Sequence, residues 1–494
     1  MPAALAVTDP EELLSGLNER QKAAVSTQSI PLCIRAGAGT GKTRVLTRRI
    51  AYQSLTGRID PRRTLALTFT RKAAAELRNR LTGLGLESSA SAGTFHSTAY
   101  AQLRIRWAEQ GVRALELMSN KLGLMARIAR KGKQRLDRTG LLEVATEIEW
   151  AKARRIQPEC YAESAVQARR WSGMEPALIG DFYQQYENEK RKQSTVDFDD
   201  LLILALNDLN EDPDYAEAIR WRFQHLFVDE FQDVNPLQFE LLQAWLGNRN
   251  DLCAVGDSNQ AIYRWNGAEA DYIQRFDHWF PDAQMLDLVD NYRSSPQILT
   301  AAKNVLGASA NSLEATCADG PRPTVSSHAN HWDEADDIAR MLRDAKGPEV
   351  AWSSMAVLVR TNAQIATLTS ALERATIPFR IRIRTTAHHL ENNSPLSSDP
   401  KIDQSIDGVD VVTFHAAKGL EWPIVHLAGL EQGLVPIGHA QEPAERAEEQ
   451  RLLHVAITRA ERELHCHWAA ERVFGDRTVP RTPSCYLGAI LETG

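Results

Sequence analysis

The sequence predicts an α/β fold of two units, each built on a parallel sheet, with a helical insertion in the first unit. Three observations carry that expectation. Short apolar runs alternate with stretches of helical spacing, which is the pattern of a doubly wound sheet. The first apolar run leads straight into a glycine-rich loop. The alternation then lapses between Gln102 and Arg222, where the spacing is helical with few strand-like runs, and resumes afterwards.

Taken in order, Pro31-Leu32-Cys33-Ile34 is the first buried-strand candidate, and Thr43 to Tyr52 after the loop has helical spacing. Thr64-Leu65-Ala66-Leu67-Thr68-Phe69 is the second, followed by an alanine-rich helix from Lys72 to Leu81. Strands recur at Leu226-Phe227-Val228-Asp229 and Leu252-Cys253-Ala254-Val255-Gly256-Asp257. A second α/β stretch follows Asn291, with strands near 356–359, 411–414 and 424–427. Between the first two of these lies one polar segment, Thr385 to Gly408, whose Asn392-Asn393-Ser394-Pro395 and Ser397-Ser398-Asp399-Pro400 read as turn and linker.

Composition narrows the class. The 57 basic and 64 acidic residues leave a net charge of −7, so contact with nucleic acid must come from a local patch rather than a global field. One such patch is a run from Arg113 to Arg138, basic at 113, 121, 127, 130, 131, 133, 135 and 138 against Glu116 and Asp137; a solvated helix face is the competing reading. No apolar run is long enough to span a bilayer, and the first residues lack a secretory pattern, so the expectation is a cytoplasmic protein with no membrane partner. The 6 cysteines form no CxxC pair, which disfavours a zinc or iron–sulfur centre of that type and a disulfide framework.

The strongest chemical signal is Ala36-Gly37-Ala38-Gly39-Thr40-Gly41-Lys42-Thr43, followed by Arg44, between a strand and a helix. Ala36 replaces the first glycine of the usual phosphate-loop pattern. Gly37, Gly39 and Gly41 keep the backbone freedom that turns N–H groups toward phosphates, and the helix N-terminus adds its positive end. Lys42 is expected to reach the β- and γ-phosphates and Thr43 to coordinate Mg²⁺. Such a loop needs a carboxylate at the end of another strand. Asp229 supplies it as a metal partner, and Glu230 beside it is expected to polarise the attacking water. Arg293 and Arg459 are candidate cations for the charge that builds on the transferred phosphoryl group.

The ordered motifs identify a family resemblance. Leu17-Asn18-Glu19-Arg20-Gln21, AGAGTGKT (36–43), LALTFTRKAAAEL (65–77), AGTFHS (92–97), VDFDDLL (196–202) and VDEFQDVNPLQ (228–238) occur in sequence. VGDSNQAIYRWNGA (255–268), NYRSS (291–295), VTFHAAKGLEW (412–422) and EEQRLLHVAITRAERELH (448–465) complete the set. This set resembles superfamily 1A helicases of the UvrD/PcrA/Rep type across nearly the whole chain. The resemblance implies two RecA-like P-loop motor domains with parallel sheets, closing on ATP and Mg²⁺. It implies that Gln21 reads the adenine edge, Tyr292 stacks on adenine, Glu421 bonds the ribose and Gln260 senses the γ-phosphate. Arg293 and Arg459 become the two arginine fingers from the second motor domain. Phe69, Phe198, Tyr263 and Trp265 match aromatics that stack on or pocket single-stranded bases, with core packing the competing reading for Phe69 and Phe198. Thr94, His96 and His415 match backbone- or base-contacting positions. The implied direction of movement is 3′ to 5′.

The implied domain order is motor domain 1A at 1–102 and 204–289, helical domain 1B at 103–203, and motor domain 2A at 290–384 and 409–494. Where relatives carry a large 2B domain, only the 385–408 linker is expected. A few tens of residues bury no core of their own. Asn266 stands where relatives often have arginine, and Arg71 replaces a common asparagine. With the sequence ending soon after Tyr486-Leu487, the expectation is that there is no accessory C-terminal domain. The expected partners are single-stranded DNA and single/double-strand junctions, with a repair protein or nuclease as a further partner. The expected setting is a bacterial nucleoid, with a monomer in isolation acting in repair or recombination. The competing reading is a translocase or remodelling subunit that does not unwind without a partner.

Overall fold

The computed structural model describes residues 9–86, 90–132, 136–170, 173–310, 312–382, 407–475 and 477–492. It contains two six-stranded sheets whose strands all run parallel. The expected α/β class with two parallel-sheet units therefore holds.

The first sheet has the spatial order Ser91–Thr94, Thr64–Thr68, His225–Val228, Leu252–Gly256, Leu32–Ala36, Gln284–Leu288. Its strands bury alternate side chains on opposite faces. Cys33, Leu65, Leu67, Leu226, Val228 and Ala254 face one core. Leu32, Ile34, Ala66, Phe227, Cys253 and Val255 face the other. Burial on both faces is what makes these strands read as continuous apolar runs. Gln284–Leu288 and Ser91–Thr94 carry no such run, being half-buried edge strands, and the sequence pattern missed both. Because every strand runs the same way, Ala36, Thr68, Thr94, Val228 and Gly256 end along one edge of the sheet. The loops that follow them are brought together there.

The helical stretch divides. Helices Lys121–Lys131, Arg138–Ala153, Tyr161–Gln167 and Pro176–Gln193 enclose a core of their own, with Met125, Ile148, Trp150, Tyr161, Phe182 and Tyr186 inside. Helices Phe95–Glu109 and Phe198–Glu211 instead pack on each other in a core of the first sheet. A division at 102/103 and 203/204 cuts through those two helices. A two-stranded parallel pair, Glu116–Leu117 with Thr195–Val196, closes the base of the insertion.

The second sheet runs Thr324–His328, Ala460–Ala469, Trp422–Ala428, Met355–Val359, Val409–Thr413, Phe379–Arg382. Its central strands are again buried on both faces. Ala460–Ala469 was not legible as a strand because Glu461, Arg462 and Glu463 open it, although it pairs on both sides. Of the linker expected at 385–408, residues 385–406 lie outside the described residues. Asp407 accepts the backbone N–H groups of Trp352 and Ser353.

Candidate functional site

The glycine-rich loop leaves the strand Leu32–Ala36 and enters the helix Lys42–Leu55. Gly41 precedes that helix at φ 82°, a conformation that costs glycine little. Gly39, at φ 68°, lies against the segment that follows the last strand of the sheet. A Cβ there would come within 2.6 Å of Asn291 Nδ2 and 2.7 Å of Arg293 Cβ. That segment holds the loop from above: Asn291 Nδ2 donates to the Ala38 carbonyl at 2.7 Å, and the Tyr292 N–H donates to the Gly39 carbonyl at 2.9 Å. From the other side the Gln21 amide donates to the Thr40 carbonyl at 3.0 Å. Thr40 Oγ1 donates to the Gly37 carbonyl, and Lys42 Nζ lies 3.4 Å from that same oxygen. The Arg44 guanidinium turns away, donating to the Gly16 carbonyl.

Thr43 Oγ1 donates to Asp229 Oδ2 at 3.0 Å. This bond joins the start of the loop helix to the end of the strand His225–Val228. Burial, and then the neighbouring Glu230 charge, push the Asp229 carboxyl up to about 7. Burial acts the same way on Glu230, but Lys42 and Lys418 outweigh it and hold Glu230 low, at about 2. The two adjacent carboxylates thus differ in environment. Glu230 sits in the left-handed region at φ 55°, and its Oε2 accepts from the Gln232 amide at 2.5 Å. A buried carboxylate beside a hydroxyl at hydrogen-bond distance is a hard-oxygen pair, which suits Mg²⁺.

The second sheet brings cations to this edge. Arg293 Nη2 lies 2.5 Å from Glu421 Oε2, and Arg293 Nε is buried with no hydrogen-bond partner. Arg459 is buried, and its guanidinium donates to the Val455 and Leu420 carbonyls and to Thr458 Oγ1. Burial, then the adjacent Arg293, lower the Arg459 pKa to about 9, while Glu230 and Glu421 oppose that shift. Gln260 is buried, and its amide donates to Asp257 Oδ2 at 2.8 Å. Tyr292 is 48% exposed, with its hydroxyl accepting from Asn18 Nδ2 at 2.6 Å.

Farther along the edge, Tyr263, Trp265 and His415 form a mutual ring cluster. Their centroids lie 6.4 to 6.5 Å apart, and all three are partly exposed. Arg170 of the helical insertion donates to the Trp265 carbonyl at 3.3 Å. His96 and Phe198 form a second ring pair at 5.7 Å, and Phe69 lies 5.8 Å from Phe95 against the first core. Thr94 caps the helix Phe95–Glu109, its hydroxyl accepting the Ser97 N–H at 3.1 Å. Phe69 is therefore partly engaged in packing and Thr94 in capping, whatever else each contacts.

Sequence reasoning passed over four residues that build this site. Asn18 caps the helix Glu19–Ser26 and holds Gln21 and Tyr292. Asn291 fastens the loop, Asp257 holds Gln260, and Lys418 joins the two sheets' units through Asp233. All four stand inside motifs already quoted. The available signal was a polar residue within a motif that has no solvent-facing reason to be there.

These features define a P-loop protein with a composite site, assembled from the ends of two parallel sheets. The chain matches the UvrD/REP helicase N-terminal domain over residues 17–281 and the UvrD-like helicase C-terminal domain over residues 286–386 and 382–471. It belongs to the UvrD/REP helicase family. It is 33% identical to the ATP-dependent DNA helicase UvrD2 of Mycobacterium bovis, across 98% of this chain and 82% of that protein. It is 34% identical to the ATP-dependent DNA helicase PcrA of Leuconostoc citreum, across 75% of this chain and 50% of that protein. It is 35% identical to the ATP-dependent DNA helicase UvrD1 of Mycobacterium tuberculosis, with the same coverages of 75% and 50%.

Proposed function

We propose that the protein is an ATP- and Mg²⁺-dependent motor that moves 3′ to 5′ on single-stranded DNA and separates duplex, in DNA repair or recombination. Family membership and the printed activity of the relatives support the helicase reading. The observation that carries it is the convergence of Thr43, Asp229 and Glu230 from the first unit with Arg293 and Arg459 from the second. A site completed by two units couples nucleotide turnover to their relative movement.

In this reading Gln21 and Tyr292 hold the adenine, Glu421 the ribose, and Lys42 with the loop N–H groups the phosphates. Mg²⁺, held by Thr43 and Asp229, would supply positive charge to the phosphate oxygens. Glu230, ionised at neutral pH, orients the attacking water and accepts its proton. Arg293 exchanges its Glu421 partner for the phosphoryl group, and the buried Arg459 stabilises the same charge. Gln260 passes the state of that charge to Tyr263 and Trp265, which with His415, His96, Phe198, Phe69 and Thr94 form the DNA track. Stacking on aromatics serves every base alike, so the track is sequence-tolerant.

The domain scheme belongs to the same proposal: 103–203 is the helical segment between the halves of the first motor, with its own core between Met118 and Tyr186 and its flanking helices packed on the motor, and 385–408 stands in the place of a 2B domain. The protein acts as a monomer in the cytoplasm, at the nucleoid. Among the described residues no helix is long and apolar enough to cross a membrane.

Strand displacement on a 3′-tailed duplex, with ATP hydrolysis followed in the same tube, tests the proposal. Unwinding with DNA-stimulated hydrolysis is the expected result. Hydrolysis without unwinding would favour a translocase that works with a partner such as a nuclease or repair protein. The shortness of the Thr385–Gly408 connection is the observation behind that second reading.

A further inference from the structure

The second sheet carries a polar cluster on one face that the motor chemistry does not use. His465 and His467 alternate on the strand Ala460–Ala469, so both project to the same side, while Cys466 between them faces the opposite core. His426 comes from the neighbouring strand, opposite His465 in register, and His328 from the strand on the other side. The rings form a chain of contacts. His328 Nε2 lies 3.3 Å from His467 Nδ1, and His467 Nε2 lies 3.1 Å from His426 Nδ1. The far nitrogen of His426, Nε2, is buried without a hydrogen-bond partner. Asp337 reaches the outer end of the chain from the covering helix His331–Ala345. Apolar side chains of similar volume would avoid the cost of burying these nitrogens, so the cluster needs another reason.

We propose that His328, His467 and Asp337 bind a zinc-class divalent transition-metal ion that clips the edge strand and the covering helix to the centre of the sheet. The ligand atoms of the three residues all lie within 4.8 Å of one another. Two ligands about 2.0–2.1 Å from a tetrahedral Zn²⁺ are separated by about 3.3 Å, and the two histidine nitrogens already stand 3.3 Å apart. Asp337 closes the remaining distance by a side-chain rotation, because Arg340, its ion-pair partner, is exposed. Two imidazoles and one carboxylate select zinc, cobalt or nickel over Mg²⁺ or Ca²⁺. A metal on His467 Nδ1 fixes that ring's proton on Nε2, where His426 Nδ1 accepts it. This is the outer hydrogen bond that orients a metal-bound histidine, and it gives the buried His426 a purpose. Three protein ligands leave the fourth position to water.

The test uses the full chain, stripped with chelator and titrated with Co²⁺ in the absence of nucleotide. The expected result is visible absorption of tetrahedral Co²⁺ saturating at one ion per chain, abolished by one equivalent of Zn²⁺. Zn²⁺ should also raise the thermal midpoint of the wild type. His328→Gln and Asp337→Asn alter partly exposed side chains, so both variants should fold, and each should lose the cobalt spectrum and the zinc-dependent rise. A folded wild type without the spectrum overturns the proposal. So does a spectrum that persists at full strength in the double variant.

Discussion

Lys418 Nζ lies 2.6 Å from Asp233 Oδ2, so a lysine from the second sheet's unit is ion-paired to a carboxylate of the first. The same ammonium donates to the Gln260 carbonyl at 2.8 Å and stands 4.0 Å from Glu230 Oε2. Burial works against its charge, but Asp233 and Glu230 raise its pKa. One cation thus links Asp233 and the Gln260 backbone and stands close to Glu230. Lys418→Met removes the ammonium from the buried Asp233 carboxylate, a loss of up to about 3–5 kcal/mol for a buried ion pair. The expected outcome is roughly a tenfold or greater fall in kcat for DNA-stimulated ATP hydrolysis, with KM for ATP less affected. Steady-state kinetics check this, and an unchanged kcat would remove Lys418 from the coupling.

Glu230→Gln keeps the shape of the side chain and removes the charge to which the proposed mechanism gives the orienting of water. Turnover should fall by about 10²–10⁴, while binding of a fluorescent ATP analogue stays within a fewfold of wild type. DNA-stimulated hydrolysis persisting in this variant would assign the role to another carboxylate.

Stability should depend on pH through the buried histidines. Burial, then His328 and His465, bring the His467 pKa down from 6.5 to about 3, and His426 is held well below its usual value for the same reason. The unfolded chain therefore binds more protons than the folded one between those limits. Stability is full above pH 6.5 and is lost as pH falls toward the folded value, by about 1.4 kcal/mol per unit for each such ring. With chelator present, the thermal midpoint should drop between pH 7 and pH 5, and His467→Gln should flatten that slope. A midpoint independent of pH over this range would contradict the neutral-ring picture.

What could be read from the sequence followed burial and motif order. Strands with two buried faces, such as Thr64–Thr68 and Met355–Val359, announce themselves as apolar runs. Thr324–His328 does not, because an edge strand exposes one side and tolerates Thr-Val-Ser-Ser-His. The residues of the phosphate loop were legible because glycine spacing and a following helix have few other uses. The Asn291 clamp on Ala38 and the Lys418–Asp233 pair were not, since they join positions 253 and 185 residues apart. No local pattern encodes a contact of that range. The histidine face was equally hidden. Its members are scattered over three strands and a helix, and only parallel registration lines them up.

The Tyr263–Trp265–His415 cluster gives the DNA proposal a direct check. Trp265→Ala should weaken single-stranded DNA binding by about 1–3 kcal/mol, roughly 5- to 150-fold in Kd, with Trp265→Phe intermediate. Binding of both variants should fall as salt rises, because phosphate contacts release counterions. Fluorescence anisotropy with a labelled oligonucleotide at two salt concentrations measures both effects. An Ala variant that binds like wild type would make Trp265 a packing partner of Tyr263 and His415 instead.

The last prediction concerns how the helical insertion is fastened. Asp197 caps the helix Phe198–Glu211 of the first unit, and Lys152 and Lys190 from two helices of the insertion approach its Oδ2 at 2.7 and 3.0 Å. Tyr186 donates to the same oxygen at 3.0 Å, and Asp200 pairs with both lysines at 2.6 Å. Burial would raise the Asp197 pKa, but the lysines hold it well below the usual carboxylate range. Asp197, Lys152 and Lys190 are buried, so removing Asp197 leaves two buried ammonium groups sharing only Asp200 and Glu187. Asp197→Asn should destabilise the protein by about 3–5 kcal/mol, while replacing Asp197 and Lys152 together by Asn and Met should cost less than the sum of the single changes. A double-mutant cycle by denaturant unfolding measures that coupling. Hydrogen exchange should show where it acts: with Asp197→Asn, protection should fall in helices Arg138–Ala153 and Pro176–Gln193 and persist in the strand Leu32–Ala36. Uniform loss across both would mean that the network supports the whole first unit rather than the seam with its insertion.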